Sequence, residues 1–174
     1  MKIRNFFVQI AILFCCISLS IGISGCSINY TASGASYGEA KSFSVQYFQN
    51  RAPIVAPLLS QTFTENLKDR FISQTPLNLV TDLGDMNFEG EIVDYSTSPL
   101  SIQQDDSPAQ NRLTITVHVK FTNSTEPKFD FDSNFSRYRD YPSSQELSQV
   151  ENELIEEIVV ELIDDIFNKA VVNW

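Results

Sequence analysis

Ten consecutive residues alternate apolar and polar without a fault. Leu113, Ile115, Val117, Val119 and Phe121 stand against Thr114, Thr116, His118, Lys120 and Thr122. Successive side chains of a strand point to opposite faces, so this segment must be a strand with one covered face and one polar face. A chain containing it has to supply something that covers the apolar side.

Other segments fit around that strand. Phe43, Val45 and Tyr47 alternate with Ser44 and Gln46, which predicts a half-buried strand with those three residues inward. Leu59, Phe63, Leu67 and Phe71 recur every four residues, which predicts a helix with Pro57 near its first turn and Pro76 as its stop. Residues 77–80 suit a short strand and 87–95 a longer one, followed by an exposed polar loop from Ser96 to Asn111. After a turn over 122–127, Phe129, Phe131 and Phe135 predict a third period-two strand. Ser143 and Glu146 have the spacing of a capping box. Behind them Leu147, Val150, Leu154, Ile158, Leu162, Ile166 and Ala170 form one stripe of a helix about 40 Å long. Its acidic run (Glu151, Glu153, Glu156, Glu157, Glu161, Asp164 and Asp165) reads as a solvated face. The order β-α-(β)-β-β-β-α gives an α+β two-layer sandwich, a largely antiparallel sheet with two helices on one face.

The N-terminus has another design. Lys2 and Arg4 precede a run from Phe6 to Ile23 without a charge, which ends Ile23-Ser24-Gly25-Cys26. That run is also about the length of a membrane span. Its small-residue ending has the layout of an export signal and resembles the bacterial lipobox, an aliphatic residue and two small ones before a cysteine. The expectation is a cleaved signal over 1–25, a lipidated polar tether over 26–41 with the acyl anchor on Cys26, and a domain over 42–174. Cys15 and Cys16 would leave with the signal, so no thiol would remain for a disulfide or a thiolate metal site. Ser27 in place of Asp, and the lack of an acidic run after Cys26, point to the periplasmic side of the outer membrane.

Without the first 25 residues the chain has 149 of its 174 residues, with 10 basic groups against 22 acidic. Such a surface is unsuited to nucleic acid, which is held by Lys and Arg. No enzyme is expected. His118 is the only histidine and lies on the polar side of its strand, no glycine-rich phosphate loop appears, and no cofactor or metal set is evident. Asp105-Asp106 and the Asp130/Asp132 pair read as solvated charge. The groups left for binding are Arg51, ahead of the first helix, and Arg137, Tyr138, Arg139 and Tyr141 at the end of the last strand. They either form a basic-aromatic cluster for phosphate and acyl surface or pair with the many carboxylates.

Two stretches carry a family resemblance. Tyr47-Phe48-Gln49-Asn50-Arg51-Ala52-Pro53 with residues 59–71, and Phe135-Ser136-Arg137-Tyr138 with residues 166–174, resemble the LptE family of lipopolysaccharide-assembly lipoproteins, in particular its Bacteroidetes branch. The resemblance implies a non-enzymatic plug and assembly partner of the LptD β-barrel at the outer membrane, with possible contact to lipopolysaccharide. Barrel interiors are polar, which suits Thr-rich and charged outer faces. The resemblance places lipid contact on no particular position; Arg51, Lys120, Lys128, Arg137 and Arg139 are the candidates. A different role for the same architecture is a periplasmic lipoprotein module that regulates a cell-wall enzyme.

Overall fold

A computed structural model of the chain describes residues 37–100 and 109–171. The expected signal, Cys26, the first part of the tether, Asp105, Asp106 and Trp174 lie outside the described residues. The elements are β1 (Ser42–Val45), β2 (Gln49–Asn50), α1 (Leu59–Gln74), β3 (Asn78–Leu79), β4 (Met86–Pro99), β5 (Gln110–Asn123), a 3-10 turn (Pro127–Phe129), β6 (Phe131–Pro142) and α2 (Leu147–Val171). The sheet runs β3-β1-β4-β5-β6, with β2 also against β4. The long pairings, β4 with β5 and β5 with β6, are antiparallel. Three short parallel pairings complete a mixed, open sheet. The parallel pair β1–β3 arises because α1 crosses over between them.

The α+β sandwich with both helices on one face is the architecture observed. Leu113, Ile115, Val117, Val119 and Phe121 are all fully buried, and Phe88 lies opposite Phe121 in register with ring centroids 4.7 Å apart. Phe71 of α1 meets Phe43 and Phe88 of the sheet and Phe167 of α2. Sheet and both helices therefore share one aromatic centre. Thr75 ends α1 with φ −132° and ψ 156°, the extended backbone that Pro76 imposes on the residue before it.

Several expectations are corrected. The first strand stops at Val45, and Tyr47 turns outward with 58% exposure. Phe48 goes inward instead: its N–H donates to Thr64 Oγ1 at 3.1 Å and its ring lies 4.9 Å from Phe63. The loop expected from Ser96 shrinks, because Ser96, Thr97 and Ser98 stay paired with Thr114, Leu113 and Arg112. Backbone ladders need no apolar side chains, so the hairpin outruns its core. Phe129 lies in the 3-10 turn opened by Pro127, not in β6. α2 begins at Leu147, which leaves Ser143 too far ahead to cap it. The end of the expected tether is already docked: Tyr37 is buried and its hydroxyl donates to the Gln74 carbonyl at 3.1 Å.

Asp85 fastens the start of β1 to the start of β4. Its Oδ2 accepts from the N–H groups of Lys41 (2.9 Å) and Ser42 (3.1 Å) and from Ser42 Oγ (2.9 Å). The Lys41 N–H, then the Ser42 hydroxyl, hold the carboxyl below the usual aspartate value of 3.8. A carboxyl so lowered contributes stability above its unfolded pKa, and that stability is lost as pH falls through the folded one. Asp85→Ala should therefore lower the melting temperature at pH 7. The gap to the parent should close as the pH drops below 3.8, a trend that paired thermal melts would reveal.

Candidate functional site

The open face of the sheet is polar because the even-numbered residues of β5 and β6 share it. Lys120 Nζ donates to Glu89 Oε1 at 2.6 Å, and His118 Nε2 lies 2.6 Å from Asp132 Oδ1. Arg112 reaches both oxygens of Asp140, at 2.7 and 3.0 Å, while its guanidinium lies 3.5 Å from the centre of the Tyr138 ring. Lys120 and Glu89, and Arg112 and Asp140, are directly opposite in register, whereas His118 reaches diagonally to Asp132 because its direct partner is Asn134. The bond to Arg112 keeps the Asp140 carboxyl below the usual range, and Glu89 raises Lys120. Beside this face a shallow depression of about 410 Å³ is lined by Gln46, Tyr47, Gln49, Glu89, Gly90, Glu91, His118 and Lys120.

The covered side of β6 carries a second set of charges. Arg137 grips Asp165 with two bonds of 2.6 Å. Arg139 binds Glu157 and Glu161, each at 2.6 Å, and donates to the Tyr138 carbonyl at 3.0 Å. These bonds raise both guanidinium pKa values, and Arg139 holds the Glu161 carboxyl low. Asp164 pairs with Arg70 of α1 at 2.8 Å, and Glu151 accepts from the Tyr95 hydroxyl at 2.5 Å. Burial, and then Glu151, push the Tyr95 phenol up. The acidic run of α2 is thus not simply a solvated face. Five of its members clamp the helix to β6, β4 and α1. Each exposed pair of this kind contributes only about 0.2–1 kcal/mol, so the clamp fixes orientation more than it adds stability.

The candidate residues are not brought together. Arg137 and Arg139 lie under α2, whereas Tyr138 between them is on the open face, so strand alternation divides the expected basic-aromatic cluster. Lys120 borders the depression. Arg51 lies in the β2–α1 loop, 3.9 Å from Glu91, with 65% of its side chain exposed. Lys128 is in the 3-10 turn, 3.4 Å from Glu126 and 4.6 Å over the Phe129 ring. Arg112 and its partners went unrecognised in the sequence because the β5–β6 register depends on how the Pro127–Phe129 turn closes. Among the described residues no group of three potential metal ligands forms, and no helix is long and apolar enough to cross a membrane.

Known proteins resemble this chain in sequence and in fold. The sequence model of a family described as "LptE: Lipopolysaccharide-assembly" matches residues 40–170, well over half of the 174. The chain belongs to the LptE lipopolysaccharide-assembly family. No curated protein matches it. Among solved structures, the hypothetical protein CT253 from Chlamydia trachomatis is similar, at 12% identity and a TM-score of 0.52, over 77% of this chain and 100% of that one. A putative neuraminyllactose-binding hemagglutinin homolog from Helicobacter pylori is 8% identical with a TM-score of 0.50, over 75% of this chain and 83% of its own. A minor lipoprotein from Acinetobacter baumannii is 15% identical at 0.49, over 75% and 91%. At these identities the first two establish the fold alone. Membership of the LptE family rests on the sequence match.

Proposed function

We propose that this LptE-family chain is a lipoprotein acylated at Cys26, held at the periplasmic side of the outer membrane, where it serves as plug and assembly partner of an LptD-type β-barrel. The observation that carries the reading is the family match across residues 40–170, which spans nearly every element of the domain. The surface chemistry supports a scaffold over a reaction centre. The open sheet face is a ladder of mutually paired charges and hydroxyls, including Thr116 Oγ1 to Ser136 Oγ at 2.9 Å, which suits a polar barrel lumen. Direct binding of anionic lipopolysaccharide is the less favoured part. Lys120, Lys128, Arg137 and Arg139 each lie within 3.4 Å of a carboxylate, so at four of the five candidates an incoming phosphate competes with a partner already present.

Affinity purification of the full-length tagged protein from its own membranes tests the reading. An LptD-type barrel should be recovered, and metabolic labelling with palmitate should mark the parent and not Cys26→Ser. Barrel-free preparations, or recovery of a cell-wall enzyme in the barrel's place, would overturn the proposal.

A further inference from the structure

From Ser42 to Thr64 there is no acidic residue and a single charge, Arg51, in a chain of net charge −10. This stretch contains the loop between β2 and α1, whose two feet are buried at Ala52 and Ala56. Between and beside them Ile54, Val55 and Leu58 are 57%, 61% and 57% exposed. The feet are pinned. Arg51 N–H donates to the Ile92 carbonyl at 2.8 Å, Ala52 N–H to Asn50 Oδ1 at 3.0 Å and Leu59 N–H to the Ala56 carbonyl at 3.2 Å. Pro53 and Pro57 fix φ on either side of the exposed pair. The aliphatic tip is therefore held outward by its own backbone.

We infer that this tip rests in the bilayer surface to which the chain is anchored. Ile54, Val55 and Leu58 enter the headgroup–acyl boundary, and Arg51 meets lipid phosphates; the inference rests on the acyl anchor proposed above. A polar barrel lumen offers three aliphatic side chains nothing, whereas hydrocarbon does. The Glu91 carboxylate is 3.9 Å from Arg51, too far for a hydrogen bond, which leaves the guanidinium able to reach a phosphate. The distances also fit. Tyr37 is held at Gln74, the last residue of α1, while the tip precedes Leu59, the first. The 16 residues of α1 span about 24 Å. The chain from Cys26 to Tyr37 can extend to about 36 Å, so acylation at Cys26 lets the tip reach the membrane.

The test uses the full acylated chain with Trp174→Phe, which removes the single tryptophan, and Val55→Trp as reporter. It is placed in phosphatidylethanolamine–phosphatidylglycerol vesicles with brominated acyl chains. Emission should shift to the blue and fall by more than half, most for shallow bromines, because interfacial elements sit about 5–10 Å deep. Val160→Trp, on the exposed side of α2 in the same background, should keep its emission. Vesicle-bound protein whose Val55→Trp emission stays water-like overturns the tip inference and leaves the anchor standing. Protein that does not float with the vesicles overturns both. A blue shift that needs the co-purified barrel, without bromine quenching, assigns the tip to a protein partner and overturns the inference.

Discussion

Phe71→Ala is expected to lower the unfolding free energy by about 3–5 kcal/mol, the range for deleting a buried phenylalanine. Phe71 is fully buried, and its ring is where three layers of contact meet. Ring centroids lie 5.4 Å away at Phe43, 4.7 Å at Phe88 and 5.1 Å at Phe167. Removing it deletes contacts to β1, β4 and α2 together, and the neighbours cannot collapse into the space because each belongs to a different element. Aromatic pairs add about 0.5–1.5 kcal/mol beyond area burial, which puts this site toward the upper end. A domain stable by about 5–15 kcal/mol would lose a large share of its margin. The measurement is the urea midpoint at unchanged slope, which reads stability and not a change in the denatured state. Phe129→Ala serves as the contrast. Phe129 is only partly buried on the rim of the core, so its loss should be clearly smaller. Equal midpoints for the two variants would refute the central role given to Phe71.

The same residues show why the fold was legible in the sequence and the charge network was not. Leu113 to Phe121 and Leu59 to Phe71 carry periods of 2 and about 4, and a period survives whatever the chain does elsewhere. Phe48 and Tyr47 defeat that logic. Where the chain leaves β1, which of two adjacent aromatics turns inward is decided by Thr64 Oγ1, a residue 16 positions away that offers a bond to the Phe48 N–H. The acidic run of α2 was visible as charge, but its role depends on where β6 places Arg137 and Arg139. That placement follows from the β5–β6 register, in which Asn123 Oδ1 accepts from the Thr125 N–H, the Thr125 hydroxyl and the Glu126 N–H to shape the turn. Local pattern predicts faces. Partners across the sheet need the turn geometry, and the turn is built from side-chain bonds that no periodicity encodes.

Gly90 should tolerate no side chain at all. A Cβ built there would lie 2.0 Å from the His118 carbonyl oxygen and 2.7 Å from Phe48 Cε1. Gly90 pairs with Val119 in the β4–β5 ladder, two residues before the irregularity between Ile92 and Asp94, so the backbones approach closely at this point. Gly90→Ala must push β4 away from β5, and a loss of about 1–3 kcal/mol or more is expected for such overpacking. Which obstacle dominates can be read from a cycle with Phe48→Leu. The ring is the end of a side chain and can swing, whereas the carbonyl is fixed in the ladder and is the nearer contact. Phe48→Leu should therefore recover only the smaller part of the Gly90→Ala loss, even though the two sites touch and couple. Full rescue of Gly90→Ala by Phe48→Leu would instead make the ring the obstacle. The substitution also has a functional reading. Glu89 and Glu91 flank Gly90, and Glu89 holds Lys120 at 2.6 Å across the open face. Displacing the strand disturbs this corner of the polar surface, so under the barrel partnership proposed above, recovery of the barrel with Gly90→Ala should fall even under conditions where the variant remains folded.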